Sequence, residues 1–185
     1  MKPGKTLKIL VAVIVLLVGG TALLGTTLVP PFYTVNSTID LPASQQESWN
    51  VLTDFERYPA WNPYLTKIEG VLAPGEHLSV TLTTANFDEP LTVHPTVGGV
   101  AAPVQFYWQG RVGFPGIYDT RHVFALEKKG DAVTTLHHYE EFRGLLAVLM
   151  PNREERLPRT LAAFNAMNAA LQQELASRSP QAGTD

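Results

Sequence analysis

Three ionisable side chains alternate with aromatic residues in two segments of the chain. His122 lies two residues before Phe124. His138 and Glu140 lie four and two residues before Phe142. Because residues two apart in a β-strand share a face, the alternation predicts that all three polar side chains point into an apolar interior. Histidine exchanges protons near neutral pH, and burial raises the pKa of a carboxyl group toward that range, so the trio has the residue types of a general acid and base.

Three roles are open for His122, His138 and Glu140. A buried histidine or glutamate is unfavourable unless it is neutral or hydrogen-bonded, so the three side chains either satisfy one another or orient a carbonyl or hydroxyl group of a ligand. The third role is a metal site, but no ligand spacing in the sequence supports it, and neither a metal nor a cofactor is expected. The out-of-phase residues His137 and Glu141 are predicted to face water.

The strands that carry the trio form a predicted hairpin, from about Tyr118 to Glu127 and from Ala132 to Arg143. A two-residue turn would pair even-numbered with odd-numbered positions. A three-residue turn, with Gly130 in a left-handed conformation, pairs even with even. Only the second turn places Phe124 and Leu136 on one face, so the sequence favours it.

The longest amphipathic segment runs from Leu157 to Leu175 and predicts one long helix near the C-terminus. Two starts are open for it: a cap at Asn152, or a regular helix that begins only at Pro158. Asn168 fills the missing turn of its apolar stripe, and two roles are open for it, a hydrogen-bonded packing residue, which the sequence favours, or a ligand contact. The large apolar residues of the stripe recur at steps of three and four, at Leu157, Leu161, Phe164, Leu171 and Leu175.

Most of the chain between Tyr33 and Arg143 alternates at period two or is broken by Gly and Pro. A first strand is predicted from Tyr33 to Leu41 and a strong strand from Val104 to Val112. The segment from Leu91 to Val97 contains or adjoins two prolines, which favours a strand at a sheet edge. The doublet Gly98–Gly99 is predicted to be a turn. The pattern therefore predicts the α+β class, with one large antiparallel sheet that covers one long helix.

A run rich in Pro and aromatic residues, Asp54 to Tyr64, follows a predicted short helix whose capping box is Ser44 to Glu47. Two interpretations are open for this run. It is either a packed corner that closes one end of the core or the rim of a ligand cavity.

The overall composition limits the classes of function. The chain has 185 residues, 45% of them hydrophobic and 17% charged, which suits one domain with a substantial core. Without Cys there are no disulfides and no thiolate chemistry. Removing Lys2, Lys5 and Lys8 from the 14 basic residues leaves 11 against 17 acidic residues, so no nucleic-acid partner is expected.

The N-terminal segment contains an uncharged apolar run from Ile9 to Val29. As a helix with a rise of about 1.5 Å per residue, the run spans roughly the ~30 Å hydrocarbon core of a bilayer. A cleaved signal peptide is the alternative, but its small-residue match, Gly20 to Ala22, lies inside the run. The sequence favours a single-pass membrane anchor. The flanking lysines place its N-terminus in the cytoplasm and the domain outside it.

The predicted organisation is an anchor and linker at 1–31, a domain at 32–179 and a polar tail at 180–185. From Tyr33 to Ser177 the chain resembles the START-like, Bet v 1-like and polyketide cyclase-like superfamily, often called SRPBCC. The order of elements carries this resemblance, together with the aromatic run and the segment from His138 to Leu145. The resemblance implies a helix-grip fold, in which the sheet wraps the C-terminal helix and encloses a cavity for an apolar ligand.

The resemblance leaves three functions open, because the superfamily includes carriers, receptors and cyclases. The first is membrane-tethered binding or carriage of a small hydrophobic molecule. The second is a cyclase- or dehydrase-like enzyme that uses His122, His138 or Glu140 as acid or base, and the third is a ligand-free interaction module. The sequence does not indicate the ligand or the oligomeric state. The predicted ligand-binding residues are Trp61, Phe106, Trp108, His122, Phe124, Leu126, His138, Glu140, Phe142, Phe164 and Leu171.

Overall fold

The computed structural model describes residues 32–178. Its strands are β1 (Tyr33–Leu41), β2 (Leu65–Glu69), β3 (Ser79–Leu82), β4 (Leu91–Val93), β5 (Thr96–Ala101), β6 (Gln105–Val112), β7 (Tyr118–Lys128) and β8 (Thr134–Arg143). Its α-helices are α1 (Gln45–Thr53), α2 (Tyr58–Trp61), α3 (Leu145–Val148) and α4 (Arg153–Arg178), with a 3-10 turn at Phe55–Arg57.

The strands form two antiparallel hydrogen-bonded sheets rather than one. The larger has the order β1-β8-β7-β6-β5 and the smaller β2-β3-β4. The division falls at Pro95, which has no N–H to donate, so the segment predicted as one strand separates into β4 and β5. Both lie at sheet edges, as predicted. The two sheets still meet where Leu78 N–H donates to the Pro95 carbonyl (3.0 Å) and at the bridge between His77 and Thr96.

Helix α4 packs against β1, α1 and α2. Of the two predicted starts the earlier is correct: the helix begins at Arg153, and the Asn152 carbonyl accepts the N–H groups of Glu155 and Arg156 (3.0 Å each). Leu161 is 37% exposed and does not belong to the buried stripe. The buried face of α4 consists of Phe164, Met167, Asn168, Leu171 and Leu175.

The β7–β8 hairpin pairs even with even positions, as predicted. His122 lies opposite Glu140, and Phe124 lies opposite His138. The predicted turn is wrong, however, because the connection spans the five residues 129–133 and Gly130 has no positive φ. Because the observed connection of five residues and the predicted turn of three both have an odd length, even-numbered positions still pair with even-numbered ones.

The doublet Gly98–Gly99 lies inside β5, and the predicted turn is wrong there. The ring of Tyr107, on the neighbouring strand β6, lies directly against these two residues. A Cβ on Gly98 would overlap the ring, and one on Gly99 would lie 2.6 Å from its Cε1 atom. The glycines are therefore needed for close packing within the sheet rather than for a reversal of the chain.

The aromatic run is a packed corner that also supplies the cavity wall. The buried Tyr58 hydroxyl donates to the Leu52 carbonyl at 2.7 Å. Asn62 Oδ1 then accepts the backbone N–H groups of Tyr64 (3.0 Å) and Leu65 (2.9 Å), which fixes the start of β2. The packed corner is thus confirmed. Tyr64, at the end of the run, lines a cavity, and a role of the run in ligand binding stays a prediction.

Within residues 32–178 no helix is long and apolar enough to cross a membrane. The predicted anchor, Ile9 to Val29, and the predicted tail at 180–185 lie outside the described residues. Both stay predictions.

Candidate functional site

A cavity of about 290 Å³ lies between the two sheets and the first half of α4. This volume is at the lower end of the range of ~300–1,000 Å³ that is common for small-molecule sites. Strands β2, β3, β6 and β8 and helix α4 supply its main apolar residues, which are Leu65, Val80, Leu82, Trp108, Phe142 and Leu157.

Glu140 is the carboxyl group of the cavity wall. Burial raises the pKa of Glu140 to about 7, against a smaller opposing effect of its hydrogen bond with the Thr120 hydroxyl. The two residues lie on adjacent strands, where Thr120 pairs with Phe142 and His122 pairs with Glu140. Near neutral pH this carboxyl group can therefore hold or release a proton.

Three tyrosines of the wall surround Glu140: Tyr33, Tyr64 and Tyr118. Burial raises the pKa of each phenol, and the nearby Glu140 charge raises it further. The Tyr33 and Tyr118 hydroxyls are hydrogen-bonded to each other, and Tyr33 also donates to the sulfur of Met150 (3.4 Å). The phenols consequently stay neutral and can donate hydrogen bonds at physiological pH.

The two histidines do not bond to Glu140. His122 Nε2 lies 2.7 Å from His138 Nε2, and His138 Nδ1 lies 2.9 Å from Asn168 Oδ1. Asn168 Nδ2 in turn donates to the Ser37 hydroxyl at 2.8 Å. The predicted trio is thus divided: the histidines belong to a polar chain that ends on α4 and β1, and Glu140 belongs to the cavity.

The polar chain has a direction. Asn168 Oδ1 accepts, so the donor is His138 Nδ1–H, and the unprotonated His138 Nε2 accepts from His122 Nε2–H. Burial lowers the pKa of His122, with the His138 charge adding to the effect, and burial lowers the pKa of His138 to about 3. Both rings are therefore neutral. Among residues 32–178 no group bonds to His122 Nδ1, and His122 borders the cavity, so its lone pair can accept a hydrogen bond there.

The cavity reaches the surface where wall residues are exposed. Phe87 is 41% exposed, Leu91 36% and Val112 59%. The Arg156 guanidinium lies over the Phe87 ring at 5.7 Å, and Asn86 Nδ2 donates to Thr160 Oγ1 at 2.9 Å, so α4 holds the segment before β4. The opening therefore lies between this segment and the end of β6.

Of the residues predicted to bind ligand, the structure places four on the cavity wall: Trp108, His122, Glu140 and Phe142. Trp61 is partly buried in the corner, with its ring against Tyr58 (4.9 Å between centroids). The remaining six are buried in the packed core around the cavity: Phe106, Phe124, Leu126, His138, Phe164 and Leu171. Their roles in binding stay predictions.

The predicted outward faces are mostly correct. The side chain of His137 is 40% exposed and paired with Glu127 (3.0 Å). Glu141 lies on the same outward face, but only 16% of its side chain is exposed because Arg121 (3.8 Å) and Arg143 (3.2 Å) cover it. Among the described residues no three His, Asp or Glu side chains come together to hold a metal.

The polar wall residues that sequence reasoning missed include the four around Glu140: Tyr33, Tyr64, Tyr118 and Thr120. Tyr118 and Thr120 share the even parity of His122, so the alternation already contained a signal for them. Tyr33 pairs with Phe142, which the hairpin register alone does not reveal. The wall residues before β4 have no periodicity, so no sequence pattern indicates them.

The fold is shared with solved structures of low sequence identity. A START superfamily protein from Mycobacterium smegmatis matches with a TM-score of 0.60 and 18% identity, covering 78% of this chain and 97% of that chain. The Zhui aromatase/cyclase from Streptomyces matches with a TM-score of 0.62 and 17% identity, covering 82% and 98%. Norcoclaurine synthase from Thalictrum flavum, in complex with dopamine and hydroxybenzaldehyde, matches with a TM-score of 0.59 and 12% identity. The match covers 80% of this chain and 89% of that chain.

At this identity the similarity shows a helix-grip fold and leaves the ligand open. A search of curated protein sequences finds no significant match. The family described as polyketide cyclase / dehydrase and lipid transport matches residues 33–177, nearly the whole described domain. The sheets, the long C-terminal helix and this match agree, and the chain belongs to that family.

Proposed function

We propose that the domain binds one small, largely apolar molecule that carries one polar group, in the cavity between the sheets and α4. The observation that carries this proposal is the cavity of about 290 Å³, whose wall is mostly aliphatic and aromatic but contains Glu140. A ligand-free interaction module would have no need to keep such a space open, because filling it with side chains would stabilise the fold.

One group of polar wall residues lies where β7 and β8 meet, around Glu140. His122 Nδ1 offers a hydrogen-bond acceptor, and the phenol of Tyr64 offers a donor close to Glu140. Affinity would come mainly from buried apolar area, at roughly 25 cal/mol per Å² less the cost of immobilising the ligand. The polar group would set the orientation of the ligand.

Mass spectrometry of molecules that copurify with the native protein tests the proposal first. Titration with fatty acids, sterols and aromatic polyketide-like compounds then measures affinity. Trp108→Ala should lower the affinity for every ligand that binds by about tenfold or more, because it removes a buried aromatic contact. Val133→Ala, in the exposed connection before β8, is the control and should change nothing.

Glu140→Gln should change which polar group is accepted and leave the apolar contribution intact. Absence of copurifying molecules together with absence of binding across the set would contradict the proposal.

One observation favours a second function, acid–base catalysis of a cyclisation or dehydration. Burial brings the pKa of Glu140 to about 7, the range in which a carboxyl group exchanges protons with a substrate. Turnover separates the two functions. If the domain is an enzyme, a bound polyketide-like compound will lose water, detected by mass, and Glu140→Gln will retain binding but abolish the loss. A ligand released unchanged supports binding alone.

The proposal includes a membrane tether. It is supported by the uncharged run from Ile9 to Val29 and by the lysines that precede it. This arrangement would hold the domain at the outer side of the membrane, where an apolar ligand partitions.

A further inference from the structure

Large apolar side chains are exposed together at one end of the domain. The strand order places the start of β1, the end of β8, the start of β7 and the end of β6 side by side at this end. We call the exposed group there the apolar end, and it consists of Phe32 (51% exposed), Phe114 (82%), Leu145 (55%), Leu146 (45%), Val148 (46%) and Leu149 (63%).

Backbone hydrogen bonds fix the elements of the apolar end to one another. The N–H groups of Leu145 and Leu146 donate to the carbonyls of Gly116 (2.9 Å) and Ile117 (2.8 Å). Gly144 has φ 96°, and a Cβ there would lie 2.6 Å from the Ile117 carbonyl oxygen, so the close approach of α3 requires glycine. The N–H of Phe32 donates to the Phe142 carbonyl at 3.0 Å. These contacts hold the elements that carry the exposed apolar side chains in fixed positions, so the apolar end is an ordered surface of the fold.

The chain that precedes the apolar end indicates what covers it. Phe32 is the first described residue, and only Pro30 and Pro31 separate it from the apolar run that ends at Val29. The three steps from Val29 to Phe32 extend at most about 11 Å. If the run lies in a bilayer, Phe32 must lie at the bilayer surface, and the other exposed apolar side chains lie at the same end of the domain.

We propose that the apolar end rests on the surface of a lipid bilayer. Burying these side chains among the headgroups and upper acyl chains removes apolar area from water, the interaction that holds interfacial segments on membranes. This interaction surface rests on the membrane tether of the proposed function, but it is independent of whether the cavity binds a ligand.

One consequence does rest on the proposed function. Val112 is 59% exposed and lies on the cavity wall, two residues before Phe114. The opening of the cavity therefore adjoins the apolar end. A ligand would then exchange between the bilayer and the cavity without crossing bulk water.

The absence of Cys from the chain permits a direct test with single labels. Phe114→Cys and Asp131→Cys, each carrying an NBD fluorophore, are made in the full chain and reconstituted into phosphatidylcholine vesicles containing doxyl-labelled lipid. Asp131 is the matched control, since its side chain is fully exposed in the connection at the other end of β7. The 11 residues of β7 separate the two labels by roughly 30 Å.

The label at position 114 should lose more than half of its fluorescence to the doxyl lipid, and the label at 131 should lose almost none. Adding Leu145→Ser and Leu149→Ser should reduce the quenching at 114, while retention in the vesicle pellet after carbonate extraction reports the anchor separately. Equal, weak quenching of both labels overturns the proposal, whether or not the chain is anchored. Ligand titration of the same labelled protein tests the proposed function independently.

Discussion

Replacing Glu140 by glutamine should make the domain more stable in alkaline solution. Glu140 lies on the cavity wall, and burial raises the pKa of its carboxyl group from 4.5 to about 7. Below pH 4.5 the group is protonated in both the folded and the unfolded chain. Between 4.5 and about 7 the unfolded chain has released its proton while the folded domain retains it, so the free energy of unfolding falls as pH rises.

The size of this effect can be worked out from the two pKa values. At ~1.4 kcal/mol for each pKa unit, the ionised carboxylate costs the fold at most about 3 kcal/mol, and water in the cavity reduces the cost. Glutamine has nearly the same shape and does not ionise. The Glu140→Gln variant should therefore have the same free energy of unfolding as the wild type near pH 4. Near pH 8 its free energy of unfolding should be higher by about 2–3 kcal/mol.

Urea unfolding of the detergent-solubilised chain, followed by tryptophan fluorescence at several pH values, measures the difference. Glu141→Gln is the matched control, because it removes the neighbouring carboxylate from the opposite face, where Arg121 and Arg143 pair with it. That variant should not exceed the wild-type stability at any pH. A stability difference for Glu140→Gln that does not change between pH 4 and pH 8 would refute the reasoning.

Three further perturbations test the fold and the tether. Gly98→Ala should destabilise the domain by about 1–3 kcal/mol in urea unfolding, because the new methyl group overlaps the Tyr107 ring. Asn168→Leu should cost about 1–3 kcal/mol in the same assay, because it leaves the buried His138 Nδ1–H without an acceptor. Protease added to intact spheroplasts should digest the domain, since the lysines before Ile9 favour a cytoplasmic N-terminus.

Each of these tests has a contrary result. Gly130→Ala meets no atom within 4 Å and is the control for Gly98→Ala; equal effects of the two would mean that the ring contact is unimportant. An Asn168→Leu variant as stable as the wild type would show that His138 finds another partner. Full protection of the domain in spheroplasts would contradict the predicted orientation.

Local periodicity was sufficient to predict the face of its element on which most side chains lie. The alternation around Phe124 and Phe142 was enough to predict that His122, His138 and Glu140 point inward. The parity of the hairpin pairing was predicted correctly, although the length of its connecting turn was not. Steps of three and four identified the long helix and its buried Phe164. These features could be predicted because the chain encodes the orientation of a side chain locally, within a few residues of the same element.

Which of the inward residues meet depends on how the helices and sheets pack, and no local pattern predicted it. Phe106 and Trp108 share one face of β6, yet Phe106 is fully buried in the core while Trp108 lines the cavity. The same packing separates Glu140 from the histidines, because α4 brings Asn168 to His138 and leaves the carboxyl group in the open space. Periodicity fixes a direction for each side chain, whereas a cavity is the volume that no side chain fills, and that volume depends on distances between elements far apart in the sequence.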